Sequence, residues 1–129
     1  MIEQYISLET AKLLKEKGFS EKTTSGYYNV DGVQTLQTDL FADNHNKYND
    51  SISAPSQDMV LRELRKKRIY VDVRFNRYYQ RFRWFEYSME ENTQDEAYEG
   101  GDFPSYEEAV EAAIRWCYEN KVVEETFKL

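Results

Sequence analysis

Apolar and polar side chains alternate without a break along residues 69–76, and no other pattern constrains the fold of this chain as strongly. A strand buried on one face has this period of two, because successive side chains point to opposite sides of the sheet. The odd positions, from Ile69 to Phe75, form the predicted core face. The even positions, from Tyr70 to Asn76, form the predicted open face.

A second strand is predicted over residues 81–89, after a turn in the segment NRYYQ. Strands joined by so short a connection are antiparallel neighbours. The alternation places Phe82 and Trp84 on one side and Arg81, Arg83, Phe85 and Tyr87 on the other. Both sides carry aromatic rings, so the pattern leaves open which side is buried. A short third strand is predicted around residues 97–99, beside an acidic Gly-Gly loop.

Three segments combine a helical spacing of apolar residues with capping signals. Ser, with its short hydroxyl, is a favoured N-cap, and Gly readily takes the left-handed conformation that ends a helix. The predicted helices are residues 7–17, capped by Ser7 and closed by Gly18; residues 56–68, capped by Ser56 after Pro55; and residues 105–119, with a capping box formed by Ser105 and Glu108.

The remaining segments are predicted from their turn chemistry. Asp31-Gly32, between two short runs, predicts a type I′ hairpin. Residues 38–52 are polar and aperiodic, which predicts an exposed loop. Residues 121–129 form either an edge strand or a flexible tail. Together the elements predict one α+β domain over residues 1–129. We expect an antiparallel sheet of three to five strands, with about three helices packed mainly on one face.

The net charge of -7 conceals a segregation of charge along the chain. Residues 62–83 carry nine Lys or Arg against two acids, whereas residues 86–125 carry thirteen acids against two bases. Such asymmetry bears on partners rather than on fold. It allows a basic face that binds an acidic partner. It also allows the basic and acidic parts to neutralise each other, within one chain or between two.

The basic and aromatic hairpin 66–87 is the candidate interaction face. Its residues are Tyr70, Arg74, Arg77, Arg81, Arg83, Phe85 and Tyr87. Arginines beside exposed rings offer phosphate contacts and stacking surfaces to nucleic acid. The same residues can also cover a solvated sheet face or meet an acidic protein surface, including that of a second copy.

Catalytic and metal-binding chemistry has little support in the sequence. Cys117 falls on the apolar face of a predicted helix, and His45, the one histidine, lies in a polar loop. The segment DNHNKYND is similar to a calcium loop, but Tyr48 stands where Gly is needed and Ala54 where Glu is needed. We therefore expect no enzyme activity, no cofactor and no metal.

The sequence also predicts a cytoplasmic protein that does not enter a membrane. No run approaches 18 apolar residues, and the first residues contain no uninterrupted apolar segment typical of a signal peptide. The single cysteine cannot form an internal disulfide, which fits a reducing compartment.

Four segments resemble a group of small uncharacterised proteins encoded by gut bacteria, their prophages and their mobile elements. The segments are ISLETAKLLKEKGF, ISAPSQDMVLRELRKKRIYVDV, WFEY and FPSYEEAVEAAI. The resemblance as a whole covers most of the chain except the loop at 38–52. Leu61, Arg62 and Glu63 match the group's WLRE helix, whereas Ser56 replaces a Thr and Val60 replaces the Trp. The resemblance implies a phage or mobile-element origin and a cytoplasmic setting, and it supplies no activity.

The segment GGDFPSYEEAVEAAI is also similar to the strand–helix junction of small DNA-binding modules that read the major groove with a three-stranded sheet. Two functions are therefore expected in order of preference. The first is a non-enzymatic phage or mobile-element protein that binds an unknown protein partner or a second copy of itself. The alternative is a nucleic-acid-binding module that uses hairpin 66–87.

Overall fold

The computed structural model describes residues 4–88 and 98–122, except for the side chains of residues 88 and 98. The chain divides into two compact units, Met1–Ser56 with Val122–Leu129, and Gln57–Lys121. The α+β class with antiparallel strands is confirmed, and the six described strands form two three-stranded sheets. The elements are α1 (Leu8–Glu16), β1 (Gly26–Val30), β2 (Val33–Gln37), a 3₁₀-helix (His45–Lys47), β3 (Ser51–Ser53), α2 (Gln57–Lys66), β4 (Ile69–Asn76), β5 (Arg81–Ser88), β6 (Tyr98–Phe103) and α3 (Tyr106–Asn120).

Helix α1 begins and ends as its sequence predicts. Ser7 is the N-cap, and its Oγ accepts from the backbone N–H of Thr10 at 3.3 Å. At the other end Gly18 has φ 87°, so the chain turns out of the helix. The backbone N–H of Phe19 then donates to the carbonyl of Leu14 at 2.9 Å, which satisfies a helix-end acceptor. Phe19 is buried, so the cap also closes this end of the core.

The first sheet has the order β2-β1-β3. Asp31 and Gly32 have φ values of 49° and 84°, and Val30 pairs with Val33 across them. Both central residues of a type I′ turn need positive φ, so the predicted hairpin is confirmed. Strand β3 pairs with the opposite edge of β1, which makes β1 the central strand.

Residues 38–52 are more ordered than the predicted loop. His45 is only 5% exposed, and Ser51, in β3, is 1% exposed. The hydroxyl of Tyr28 and the Nδ1 atom of His45 are 2.8 Å apart, and His45 Nε2 lies 3.0 Å from the carbonyl of Thr23. Because a carbonyl can only accept, Nε2 donates to Thr23, and in the neutral ring Nδ1 then accepts from Tyr28. The expectation of exposure was wrong at these positions because distant polar groups satisfy one another.

The second sheet has the order β4-β5-β6, and α2 and α3 accompany it. The predicted strand 69–76 is confirmed residue for residue, and the second predicted strand, 81–89, corresponds to Arg81–Ser88. Helix α3 begins at the N-cap Ser105, whose Oγ accepts from the backbone N–H of Glu108 at 3.1 Å. Gln57 Nε2 donates to the backbone carbonyl of Glu107 at 2.9 Å, which joins α2 to α3.

Trp84 defines which face of this sheet is buried. Its side chain is 5% exposed, and the centroid of its ring lies 5.3 Å from the ring centroid of Trp116 in α3. Gly100 lies on the neighbouring strand, directly opposite Trp84, where a Cβ atom would overlap the indole ring. The face that carries Trp84 and Phe82 is therefore the helix-covered face. Phe75, predicted for the core, also belongs to this face but is 50% exposed at the far end of β4.

Candidate interaction surface

The predicted interaction residues of β4 and β5 lie on one face of the second sheet, opposite the helix-covered face. The register pairs Tyr70 with Tyr87, Asp72 with Phe85, Arg74 with Arg83, and Asn76 with Arg81. We call the side that carries these residues, with Glu99 and Asp102 of β6, the outer face. Arg77 lies in the turn that joins β4 to β5.

Arg74 is held by three neighbours on the outer face. Its Nε atom donates to Asp72 Oδ2 at 2.8 Å, and its Nη2 atom donates to the hydroxyl of Tyr87 at 2.9 Å. The guanidinium carbon lies 4.5 Å from the centroid of the Phe85 ring, within cation–π range. The hydrogen bond that Arg74 donates to Asp72 raises the pKa of Arg74 above its ordinary value. Arg74 is thus turned away from Arg83, the like charge directly opposite.

Arg83 is engaged by two carboxylates of β6. Its Nη1 atom lies 3.3 Å from Glu99 Oε1, and its Nη2 atom lies 3.5 Å from Asp102 Oδ1. A register shift explains the second contact, since Phe82 pairs with Phe103 but Trp84 pairs with Gly100. Two residues of β6 therefore oppose Arg83, which is the geometry of a β-bulge. The bulge brings Asp102 within reach of Arg83.

The outer face is close to electrical neutrality. Arg74, Arg81 and Arg83 are accompanied by three carboxylates, Asp72, Glu99 and Asp102. Arg81 Nη2 donates to the backbone carbonyl of Asp102 at 3.0 Å. The charged partners are about half exposed, so solvent screens each pair and its contribution to folding stability is small. Their importance is that the local excess of arginine is matched by acids on the same sheet.

Aromatic side chains are concentrated at the end of the hairpin. Tyr78 is 87% exposed and Tyr79 is 66% exposed, and their rings meet edge to face at 4.9 Å. Asn76 Oδ1 accepts from the backbone N–H groups of both tyrosines, which fixes the turn. A groove of about 500 Å³ runs from this end onto the outer face. It is lined by Arg74, Phe75, Asn76, Tyr79, Arg83, Phe85 and Asp102.

Reasoning from the sequence missed Glu99 and Asp102 as members of this surface. They stood in a segment described as an acidic loop, and only the register of β6 against β5 brings them beside Arg83. Asp72 was already on the correct face by alternation. For Glu99 and Asp102, the one sequence signal was the strand predicted around residues 97–99, which corresponds to β6, Tyr98–Phe103.

Cys117 is buried, and burial, followed by the negative charge of Glu86, raises the pKa of its thiol to about 12. A thiol with such a pKa is not a ready nucleophile at neutral pH. Within residues 4–88 and 98–122, no group of three or more His, Cys, Asp or Glu side chains is arranged to hold a metal ion.

Comparison of the chain with protein-family models, curated proteins and solved structures gave no match. In the part of the chain that the structure describes, no helix has the length and apolar character needed to cross a membrane.

Proposed function

We propose that the protein is a non-enzymatic, cytoplasmic protein of phage or mobile-element origin that acts through protein–protein contacts. The outer face of the second sheet is the contact surface. One observation supports this proposal above the others: Arg74 and Arg83 of the outer face already form ion pairs with carboxylates of the same sheet. The partner is another protein or a second copy of the chain.

The matched charges favour a protein partner over nucleic acid. Binding to a phosphate backbone gains its free energy from unmatched cations that displace counterions. A phosphate approaching Arg83 would meet Glu99 and Asp102 within 3.5 Å of the same guanidinium. A protein surface can instead offer both donors and acceptors to such a mixed pattern. The charge distribution therefore suits a protein better.

The composition of the outer face supports the same proposal. Arginine and tyrosine are enriched among the residues that dominate protein–protein binding energy. Arg74 lies across Phe85 and donates to Tyr87, so this part of the face is organised before any partner arrives. Organised side chains lose less conformational entropy on binding, which favours association.

Affinity capture from cells that produce the protein tests this function, with Arg83→Glu as the disrupting variant. Arg83 is surrounded by carboxylates, so a third acid there makes the face strongly negative. Glu119→Arg, an exposed change on α3, is the matched control. We expect a discrete partner that wild type and Glu119→Arg retain and Arg83→Glu loses. A partner set unchanged by Arg83→Glu would remove the outer face from the proposal.

Nucleic-acid binding remains the second candidate because of the end of the hairpin. Tyr78 and Tyr79 are exposed beside Arg77, and bases can stack on such rings. Fluorescence anisotropy with labelled single- and double-stranded DNA and RNA, between about 50 and 200 mM salt, separates the candidates. We expect dissociation constants weaker than ~10⁻⁴ M even at the lower salt. Tighter binding that Arg74→Glu with Arg83→Glu abolishes would favour nucleic acid.

A further inference from the structure

Among the described strands, β4 lies at an edge of the second sheet. Among the described strands β5 is its one partner, so the backbone groups of β4 that face away from β5 pair with no described strand. All eight residues of β4 pair with β5 in one continuous register, whereas β6, at the other edge, is interrupted by the bulge at Phe82/Trp84. A long, regular edge without proline is a template for another strand.

The sequence of β4 is complementary to itself. If two copies pair antiparallel about a two-fold axis at Val73, Asp72 of each copy lies opposite Arg74 of the other. Opposite charges in directly facing positions stabilise an antiparallel pair. Two such pairs form, one on each side of the axis. Asp72 and Arg74 already hydrogen-bond within one chain at 2.8 Å, so four charges of alternating sign would meet on the outer face.

Other registers about this strand lack this complementarity. An axis at Asp72 places the two Asp72 side chains opposite each other, and an axis at Arg74 does the same with the two arginines. Like charges in facing positions destabilise strand pairing. Side chains alternate between the two faces of a strand. The pairing register of the two β4 strands can therefore change only in steps of two residues if the same residues are to stay on the outer face. The charges of β4 therefore select Val73 as the centre.

The helix-covered side of β4 supports the same register. Val71 and Val73 are half-buried there, and Phe75 is 50% exposed. Pairing about Val73 places Val71 of one copy opposite Phe75 of the other. Two apolar side chains would then cover each other where one large ring is now open to water. On the outer face, Tyr70 of one copy would lie opposite Asn76 of the other copy at each end of the paired segment.

We infer that β4 pairs antiparallel with the β4 of a second copy about Val73, joining two three-stranded sheets into one of six strands. This inference rests on the proposed function, because it names the second copy as a partner and the edge of the contact surface as the place of contact. The two outer faces then form one continuous surface.

Sedimentation velocity with charge-reversed variants tests the register. Asp72→Arg places arginine opposite arginine at both sites of a homodimer, and Arg74→Asp places aspartate opposite aspartate. We expect each variant alone to dissociate at least roughly tenfold more readily than the wild type. An equimolar mixture of the two restores both attractive pairs and should form a heterodimer. The double variant Asp72→Arg with Arg74→Asp should dimerise like the wild type.

A single reversal also breaks the hydrogen bond between Arg74 and Asp72 within one chain, which could weaken folding. The mixture and the double variant control for this effect, because both are expected to dimerise again. A wild-type chain that stays monomeric at its highest soluble concentration overturns the inference. So do variants that all dimerise alike, or single variants that stay monomeric when mixed. A monomeric wild type that still loses a captured protein on Arg83→Glu would overturn the second copy as partner and leave the proposed function standing.

Discussion

Gly100→Ala is expected to destabilise the second unit, although it adds a single methyl group. The Cβ atom would overlap the indole ring of Trp84. That ring is 5% exposed and packs against Trp116 at 5.3 Å, so it has no open side into which to move. Overpacking of this kind costs about 1–3 kcal/mol of unfolding free energy. The φ of Gly100 lies outside the left-handed region, so alanine also restricts the unfolded chain and recovers about 0.4–1 kcal/mol.

Urea denaturation of four proteins measures this effect: wild type, Gly100→Ala, Trp84→Leu and the double variant. We expect Gly100→Ala to lower the unfolding free energy by about 1–2 kcal/mol with an unchanged denaturant slope. In the Trp84→Leu background the collision is absent, so the same change should be neutral or slightly stabilising. An equal loss in both backgrounds would refute the packing of Gly100 against Trp84.

Three further outcomes follow from local contacts. The ammonium of Lys47 and then the hydroxyl of Tyr48 lower the pKa of the Asp43 carboxyl from 3.8 to about 2. The stability that Asp43 contributes is therefore present above pH 3.8 and lost as pH falls through about 2. Carbon-detected NMR titration should show this low pKa and its return toward 3.8 in Lys47→Ala; an Asp43 pKa unchanged by that substitution contradicts the assignment. Cys117, with a pKa of about 12, should resist a disulfide reagent at neutral pH until the protein unfolds, and labelling at the rate of a free thiol contradicts its burial. Ser105→Ala should lower the unfolding free energy by about 1 kcal/mol in urea titrations, and no change contradicts the cap.

Local signals predicted the individual elements well. Helix α1 was predicted from a serine cap and a terminal glycine, and both perform those roles. The Asp31-Gly32 turn and strand β4 were predicted from backbone preference and period-two alternation. Each of these signals lies within a few residues of the structure it determines, so a single sequence contains it.

Properties that depend on distant residues could not be predicted in the same way. His45 looked like a loop residue because its partners, Thr23 and Tyr28, lie far from it in sequence. The buried side of β5 was left open because rings stand on both sides, and it is decided by distant residues such as Trp116 of α3, which packs against Trp84. The prediction of a tail or edge strand at 121–129 concerns residues that, from 123 onward, lie outside the described part of the chain.

The outer face shows the same division between local and distant information. Alternation grouped Tyr70 with Arg74 on one side of β4, and the other four strand residues of the candidate set on one side of β5. The register of β4 with β5 places the two groups on the same face. Their charge balance was open in the sequence, which allowed a basic face as well as neutralisation within one chain or between two. The bulge in β6 decides it for Arg83, because it brings Asp102 opposite. A bulge depends on pairing between strands and leaves little trace in one strand's sequence.

Site-specific photo-cross-linking in cells tests the proposed contact surface most directly. A benzophenone side chain replaces Tyr70, which is 39% exposed on the outer face, and in a matched variant it replaces Glu119 on the exposed side of α3. We predict a discrete protein adduct at position 70, with another protein or with a second copy, and none at position 119. No protein adduct at position 70, or an adduct that nuclease removes, would contradict a protein-binding outer face.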